Sequence, residues 1–265
     1  MLNQLDFKSK NIFIGGSSNG IGWESAKLFS DFGGNVTLVS RNDKILRQRI
    51  SELTNNGTQN HNYIVLDFSS PNKLEIKLKE FIKKNSINYD VIINNSGGPP
   101  SGELENATTE DLLLAFNLHL ISFHKILGVL LGGIKNKESG RIINIISTSV
   151  KQPLNGLGVS NTIRGAVANW AKTLANELGP YNITVNNILP GATNTGRLKE
   201  IINNKAQKLN LKESSIEKQM ADQVPLKRIA EPIEVANAVV FLASNKASYI
   251  SGINLPVDGG RTKSL

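Results

Sequence analysis

The sequence contains no cysteine and only three histidines. The missing thiols exclude disulfides, thiolate zinc sites and cysteine nucleophiles, and the absence of an HExxH motif argues against a zinc hydrolase, so we predict no bound metal. No apolar run approaches the roughly 18 residues of a membrane span, and the first ten residues, MLNQLDFKSK, have no hydrophobic signal core. We therefore expect a cytoplasmic protein that does not contact a membrane.

The basic side chains are in excess but are not concentrated. Lys and Arg number 30 against 22 Asp and Glu, a formal net charge of +8, over 265 residues. They are spread along the chain close to acidic residues, as in 73–84 and 211–219. A nucleic-acid-binding protein tends to gather its cations on one face or in one arm, so we expect no nucleic acid as partner. Such a charge still favours small ligands that carry phosphate.

Short apolar runs alternate with longer amphipathic stretches along the chain. The runs are rich in Ile, Val and Leu without polar alternation, which is typical of strands buried on both faces of a parallel sheet. They occupy residues 11–16, 35–40, 62–67, 90–95, 141–147, 183–189 and 253–258, and the helical stretches occupy 20–33, 43–56, 72–85, 109–137, 156–179 and 231–244. This alternation predicts an α/β fold: a single doubly wound Rossmann-type domain over 1–265, with about seven parallel strands and helices on both faces.

Residues 192–228 interrupt the alternation. They are polar, helical in propensity and poor in an apolar stripe, and they follow the sixth predicted strand. Ligands of open α/β sheets bind beyond the carboxyl ends of the strands. We therefore interpret this segment as a mobile substrate lid, with a plain surface excursion as the alternative.

A glycine-rich turn follows the first predicted strand and opens the first predicted helix. Gly16, Gly20 and Gly22 would let the backbone turn sharply and approach a pyrophosphate, whose charge is favoured at a helix N-terminus. The placement after a strand and before a helix makes this a dinucleotide-binding prediction, against a tight turn without ligand. The predicted contacts from the same turn include Ser18, Asn19 and Ile21.

The spacing GxxxGxG at 16–22 resembles the short-chain dehydrogenase/reductase family, and further motifs follow in that family's order over nearly the whole chain. NNSG at 94–97 is similar to the family's NNAG, residues 190–195 to its PGxxxT, and VDGG at 257–260 to its last strand. The likeness is greatest to 3-oxoacyl-[acyl-carrier-protein] reductases. The resemblance implies cofactor contacts at Asp67, Phe68, Asn94, Ser96, Gly97, Pro190, Gly191, Thr193 and Thr195.

The end of the second predicted strand bears on the choice of cofactor. A 2′-hydroxyl is usually bound by an acidic residue there, whereas a 2′-phosphate needs a cation. Here Ser40 leaves space and Arg41 can bind a phosphate with two donors, so NADP(H) is favoured over NAD(H). The alternative for Arg41 is a solvated loop cation.

The resemblance implies a catalytic tetrad, and the chain matches only half of it. Asn117 and Ser147 fit the family's Asn and Ser, whereas Ser160 and Arg164 stand at the positions of the Tyr and Lys. A serine hydroxyl is too weak an acid to replace a phenol, and Arg164 cannot give up its proton. The loss of a general acid costs about 10²–10⁴-fold in rate.

Two other side chains were considered as substitutes for the missing acid. Lys151, four residues after Ser147, becomes a usable acid if its ammonium is desolvated; a solvated loop lysine is the alternative. His119, two residues after Asn117, is expected to point away from that asparagine and to pack in the core. In the family's active site Arg164 would also contact the nicotinamide ribose.

These observations favour an NAD(P)(H)-dependent oxidoreductase with an altered active site, acting on a small carbonyl or alcohol or on an acyl thioester. The alternative is a catalytically impaired dinucleotide-binding sensor or scaffold protein. The apolar outer residues within 112–133 and the resemblance together imply a homo-oligomer, a tetramer or a dimer.

Overall fold

The apolar runs form one parallel sheet in the computed structural model of the protein, which describes residues 5–264. In that part of the chain the sheet has seven strands in the order β3-β2-β1-β4-β5-β6-β7, and each neighbouring pair is parallel. The strands are β1 Asn11–Gly15, β2 Asn35–Ser40, β3 Asn62–Val65, β4 Val91–Asn94, β5 Gly140–Ile145, β6 Ile183–Pro190 and β7 Asn254–Val257. The predicted strand number and direction are confirmed.

Helices cover both faces of the sheet. The helices are α1 Gly20–Asp31, α2 Asp43–Glu52, α3 Pro71–Asn85, α4 Thr109–Phe116, α5 Ser122–Lys135, α6 Gly158–Leu178, α7 Gly196–Leu209, α8 Glu213–Asp222 and α9 Pro232–Ala243. One apolar cluster joins the sheet to α3, α5 and α6, and a second joins its other face to α1, α2 and α9. The predicted doubly wound arrangement is therefore confirmed.

The strand order reverses between β1 and β4. From β1 the chain first builds outward through β2 and β3, then returns to place β4 on the other side of β1. The crossover connections leave in opposite directions at this point, which opens a crevice at the carboxyl ends of the two strands. The glycine-rich turn and residues 95–98 lie at these two strand ends.

A row of asparagine side chains crosses the buried sheet. Asn94 of β4 donates to Asn144 of β5, Asn144 to Asn187 of β6, and Asn187 to Asn254 of β7, each at 2.8 Å. The register places the four residues directly opposite one another. Because buried amides need partners, the row satisfies polar groups within strands that are otherwise apolar. At its open end, Asn94 Oδ1 is buried without a partner in the described part of the chain.

The stretch Thr109–Lys135 is helical throughout, with a π-helical turn at Asn117–Ile121 between α4 and α5. By length and composition alone it would suffice to cross a membrane. Its α5 part packs Phe123 and Ile126 into the core below the sheet, as a core helix does.

The segment predicted as a lid contains α7 and α8, so its helical propensity is confirmed. The expectation that it has little apolar stripe was wrong. Its two helices have a small apolar cluster of their own, made by Leu198, Ile202, Ala206 and Ile216. The assignment as a mobile lid stays a prediction.

Candidate active site

The glycine-rich turn has the geometry that a close ligand needs. Gly16 and Gly20 have φ of +57° and +58°, which a side chain rarely allows. A Cβ on Gly22 would lie 2.4 Å from the carbonyl oxygen of Gly16, so the helix starts in contact with the turn. The first turn of α1 has no acidic residue, and Asn19 makes no side-chain cap. The N–H groups of this helix N-terminus are thus available to an anion, and the turn fits a dinucleotide pyrophosphate.

Asn95 supports this turn and was missed by the sequence argument. Its Nδ2 donates to the carbonyl oxygens of Gly15 and Gly16, both at 3.2 Å. The adjacent Asn94 donates its side-chain amide to Asn144, and its contact with the cofactor stays a prediction. In the NNSG motif it is therefore the second asparagine that fixes the turn. Motif position alone did not distinguish the two amides.

Ser40 is the last residue of β2 and Arg41 follows it, and their contact with a 2′-phosphate stays a prediction. Ser40 is buried, and its Oγ accepts from the main-chain N–H of Asn42 at 3.3 Å. Arg41 is exposed and has no ion pair in the part of the chain that the structure describes. A second cation, Arg49 of α2, donates to the carbonyl oxygen of Ser18 at 3.1 Å. No local spacing links α2 to the glycine turn, so this neighbour could not be predicted.

Asp67 and Phe68 follow β3, where the resemblance implied contacts to an adenine ring. Asp67 is exposed and its Oδ1 accepts from the main-chain N–H and the hydroxyl of Ser69, at 3.0 and 2.8 Å. The ring of Phe68 is buried edge-on against Phe123, with centroids 6.2 Å apart. The main-chain carbonyl oxygen of Phe68 accepts from Ser122 Oγ at 2.5 Å. The predicted cofactor contacts of Asp67 and Phe68 stay predictions.

The segment after β6 lies against the glycine turn. A Cβ on Gly20 would be 3.1 Å from the methyl carbon of Thr195. Thr195 Oγ1 also caps α7 by accepting from the N–H of Leu198, while the buried Thr193 donates to the carbonyl of Gly191 at 3.1 Å. These turns bring Pro190–Thr195 and Gly16–Gly22 to one side of the crevice. The remaining predicted contacts Asn19, Ile21, Ser96 and Gly97 lie on the same edge, and a Cβ on Gly97 would meet nothing within 4 Å.

Ser147 and Ser160 lie where β5 meets α6. Ser147 follows β5, and its Oγ accepts from the main-chain N–H of Ser149 at 3.1 Å. Ser160 is in the first turn of α6, is 9% exposed and makes no hydrogen bond through Oγ to any residue of 5–264. The start of α6 is fixed by Gly102, whose carbonyl accepts from the N–H of Gly158 at 3.0 Å. Ser160 therefore presents an unengaged hydroxyl on a rigid element.

Arg164 is one turn beyond Ser160 and is only 6% exposed. Its Nη1 donates to the carbonyl oxygen of Ile145 at 3.0 Å, two residues before Ser147. Its Nε is buried without a partner, and within residues 5–264 it forms no ion pair. Burial, and secondarily the charge of Arg197, lower the pKa of Arg164 to about 10. The guanidinium thus remains charged near neutral pH in a site that provides it with no acid.

His119 is fully buried and lies edge-on to Phe123, with ring centroids 6.2 Å apart, so its expected core packing is confirmed. Its Nδ1 is also 2.7 Å from Ser96 Oγ, a contact that the sequence argument missed. Burial, then the charges of Arg164 and Arg197, hold the pKa of His119 well below 6.5. The imidazole is therefore neutral, and its Nε2 has no partner among the described residues.

The π-helical turn explains why the contact between His119 and Ser96 was not predicted. Its hydrogen bonds span five residues instead of four, which rotates the side chains relative to a 3.6-residue period. Asn117 begins this turn, is half-buried, and accepts at its carbonyl oxygen from Ser122 Oγ at 2.7 Å. π-Bulges are frequent at functional sites, and this one carries the predicted catalytic asparagine.

Lys151 lies at the end of the short helical turn after Ser147. It is half-exposed, and its carbonyl oxygen accepts from Ser264 Oγ at 3.3 Å. Its role as an acid stays a prediction.

A cavity of about 390 Å³ opens beside this turn. Its lining includes Thr148 and Gln152 after β5, Asp222 at the end of α8, and Arg261 and Lys263 near the C-terminus. The end of the predicted lid thus borders a space next to Ser147. Within residues 5–264, no group of three or more His, Asp and Glu side chains is placed to hold a metal ion.

Comparisons with known proteins agree with this geometry. The family model described as enoyl-(acyl carrier protein) reductase matches residues 16–262. The NADPH-dependent reductase BacG of Bacillus subtilis is 28% identical over 97% of this chain and 99% of its own length. Carbonyl reductase family member 4 of Xenopus laevis is 31% identical over 95% of this chain and 98% of its own length.

A solved structure shows the same fold. The L-sorbose reductase of Gluconobacter frateurii, complexed with NADPH and L-sorbose, has a TM-score of 0.91 at 28% identity. The match covers 98% of this chain and 99% of that one. With its glycine turn, its seven-stranded sheet and these relatives, the chain belongs to the short-chain dehydrogenase/reductase family, a family of oxidoreductase enzymes.

Proposed function

We propose that the protein is an NADP(H)-dependent oxidoreductase that reduces a small carbonyl compound or acyl thioester, or oxidises the corresponding alcohol, in an altered active site. The observation that carries the proposal is the juxtaposition of two features at one sheet edge. The glycine turn is built and supported by Asn95, and Ser147, Ser160 and Arg164 stand at the ends of the neighbouring β5 and α6. The Bacillus subtilis relative is an NADPH-dependent reductase, and the L-sorbose reductase structure is a complex with NADPH, which supports the choice of cofactor.

The residues at the glycine turn would bind the dinucleotide. The free N–H groups at the start of α1 suit the pyrophosphate, and Ser40 and Arg41 suit the 2′-phosphate. Arg164 would contact the nicotinamide ribose. Bound NADPH supplies a hydride to the carbonyl carbon. The hydroxyls of Ser147 and Ser160 would hold the carbonyl oxygen, and the charge of Arg164 would stabilise the negative charge that develops on it.

Proton delivery would rely on a group other than Ser160 or Arg164. Neither a serine hydroxyl nor a guanidinium is an adequate acid near neutral pH. Water in the cavity beside Thr148, or the ammonium of Lys151, would deliver the proton. Positioning and charge stabilisation act without a general acid, so turnover is slowed and not abolished.

A single-turnover fluorescence experiment tests the proposal. Protein in excess over NADPH is mixed with carbonyl compounds in turn, and the emission of the bound nucleotide is followed. We expect binding followed by decay of the signal, slower in Ser147→Ala. Gly22→Ala should lose nucleotide binding, because its Cβ would collide with the carbonyl of Gly16. If no compound produces a decay faster than in Ser147→Ala, the oxidoreductase proposal fails.

A sensor or scaffold is the second candidate, and one observation favours it. Ser160, at the position of the missing phenol, offers only an aliphatic hydroxyl. Nucleotide binding without any decay, together with a change in partner binding when NADPH is added, would support this reading. Multiple turnovers with any carbonyl compound would exclude it.

We further propose a cytoplasmic homo-oligomer, a dimer or tetramer. Three apolar side chains of α4 are exposed: Leu113, Leu114 and Phe116. A contiguous exposed apolar surface commonly marks a contact with another protein. Light scattering coupled to size exclusion should show an oligomer that Leu114→Glu dissociates; a monomeric wild type would contradict the proposal.

A further inference from the structure

Arg164 is a buried cation that forms no ion pair with any carboxylate of residues 5–264. Removing a charge from water is costly, so buried arginines normally have an acidic partner. In the described residues the guanidinium of Arg164 has one hydrogen bond, from Nη1 to the carbonyl of Ile145. Its Nε–H is buried without a partner. Within the described residues, the charge of Arg164 is therefore left without an opposite charge.

The nearby acidic groups are already engaged or lie elsewhere. Glu200 pairs with Arg197 at 3.1 Å. Asp258, after β7, accepts from the main-chain N–H groups of Gly260 and Thr262 at 3.0 and 2.8 Å. The second cation near Arg164, Arg197 of α7, also bonds the carbonyl of Pro99 and so stays over the crevice. Among the described residues, Glu200 pairs with Arg197, whereas no acidic side chain pairs with Arg164.

The hydrogen bond to Ile145 decides which part of Arg164 is free. With one N–H of Nη1 engaged, the edge formed by Nε and Nη2 remains, and these two N–H bonds are parallel. The second N–H groups of Nη1 and Nη2 are left for the proposed contact with the nicotinamide ribose. A carboxylate can accept one hydrogen bond from each of these two parallel donors, one at each oxygen. A lysine ammonium at the same position has no such pair of parallel donors. The family pattern has lysine where this chain has Arg164. The difference therefore replaces a point charge by a guanidinium edge with two parallel donors.

We propose that the substrate carries a carboxylate next to its reacting carbonyl group, and that the Nε–Nη2 edge of Arg164 binds this carboxylate. The inference rests on the proposed oxidoreductase function and names its substrate class, a small oxo acid. In the reduction, one hydride adds to the carbonyl carbon and one proton to its oxygen. The product is the hydroxy acid, NADPH becomes NADP⁺, and the carboxylate is unchanged.

The position of Arg164 suits this assignment. Its partner Ile145 is two residues before Ser147, and Ser160 precedes it by one helical turn. A carboxylate on the guanidinium therefore leaves the adjacent carbonyl within the region of the two serine hydroxyls. The neighbouring cavity has Arg261 and Lys263 against a single acid, Asp222, which also favours an anionic ligand.

Binding to the NADP⁺ complex tests the proposal without turnover. Two matched pairs differ in charge but little in shape: pyruvate with diacetyl, and 2-oxobutanoate with 2,3-pentanedione. We expect calorimetry at saturating NADP⁺ to show each acid binding about 10- to 100-fold more tightly than its neutral partner, as hydrogen bonds to a charged group provide. Arg164→Met should bring the ratio close to one.

Arg141 provides the matched control. It is also buried, its Nη1 also donates to a main-chain carbonyl, and its Nε also has no partner, but it lies at the opposite end of β5. Arg141→Met should keep the preference for the acids. If Arg164→Met does not fold, as judged by circular dichroism, the acid-to-neutral ratio of the wild type decides alone.

The outcomes separate this inference from the proposed function. Equal binding of acids and neutral partners overturns the oxo-acid inference, even where the diketones consume NADPH. An unchanged ratio in Arg164→Met overturns it too, since the cation responsible would then be another. Tighter binding of inorganic phosphate than of either acid to the NADP⁺ complex would overturn the carboxylate assignment. Tight, Arg164-dependent binding of the acids without NADPH oxidation would support the anion site and count against the reductase.

Discussion

The two ends of β5 place a buried arginine in opposite surroundings. At the amino end, Arg141 donates to the carbonyl oxygens of Gly140 and Asn182, at 2.8 and 3.5 Å, and its N–H donates to the carbonyl of Asp90. At the carboxyl end, Arg164 has one carbonyl and, as its charged neighbour, another arginine.

The acid at the amino end belongs to a complete network. The carboxylate of Asp90 pairs with Lys10 at 3.1 Å and with Lys137 at 2.6 Å, and accepts from the N–H of Asn11 at 2.9 Å. At the carboxyl end, Arg164 Nε and His119 Nε2 are buried without partners. Arg141 Nε at the amino end is also buried without a partner, so the two ends differ in their acids. At the amino end a carboxylate pairs with two ammonium groups and stabilises the fold, whereas at the carboxyl end neither Arg164 nor His119 has an acidic partner among the described residues.

Removing the carboxylate of Asp90 at the amino end of β5 should have the largest effect on stability. Asp90→Ala leaves two ammonium groups and a main-chain N–H without their acceptor. We expect the free energy of unfolding to fall by about 3 kcal/mol, the lower end for a buried pair, because both lysines can turn towards water. Urea denaturation measures this. Lys10→Met, which removes a half-exposed partner, should cost less than about 1 kcal/mol. Equal costs for the two variants would contradict the assignment of Asp90 as the centre of the network.

The pH dependence of stability should reflect His119, which lies near Arg164 at the carboxyl end of β5. His119 faces Ser96, Phe123, Arg164 and Arg197, and its pKa in the folded state is held well below 6.5. Below about pH 6.5 the imidazole of His119 binds a proton in the unfolded chain but stays neutral in the folded state. The free energy of unfolding therefore falls as the pH decreases below about 6.5. The slope reaches at most about 1.4 kcal/mol per pH unit.

Urea midpoints at pH 7 and pH 5 for the wild type and His119→Gln measure this slope. The variant should lose part of the decrease, because glutamine has no proton to gain. Glu75 and Glu234, whose pKa values are lowered to about 2, lose their pairing only below the ordinary glutamate range, outside this window. The same decrease in both proteins would place the responsible proton elsewhere.

The smallest expected change in the free energy of unfolding is that of Arg164→Met, and it has the opposite sign. Arg164→Met removes a buried charge that has no acid, so the free energy of unfolding should stay constant or rise by about 1 kcal/mol, while activity is lost. Urea denaturation in the absence of nucleotide measures the change. A loss comparable to that of Asp90→Ala would mean that Arg164 stabilises the fold, and the contrast between the two ends would disappear.

The fold could be predicted from the sequence because its signals are local. Continuous Ile and Val runs such as 141–147 mark buried parallel strands, and the glycine spacing of 16–22 marks the first turn. The site was predicted only where a motif fixes a position. Asn95, Arg49 and Arg197 were missed because their partners are distant in sequence. The contact of His119 with Ser96 was missed because a π-helical turn changes the helical period.

The asparagine row across β4 to β7 has a consequence for how the chain reaches this fold. Strands made only of Ile and Val would pair almost equally well after sliding by two residues, since the same apolar face would remain buried. Each of four neighbouring strands carries an asparagine whose side-chain amide bonds to that of the adjacent strand only in the observed register. These residues are Asn94, Asn144, Asn187 and Asn254. A misaligned strand would bury amides without partners, at about 1–3 kcal/mol for each group. The row thus disfavours misaligned strand pairing. It thereby fixes the register that places Ser147 and Arg164 at the sheet edge.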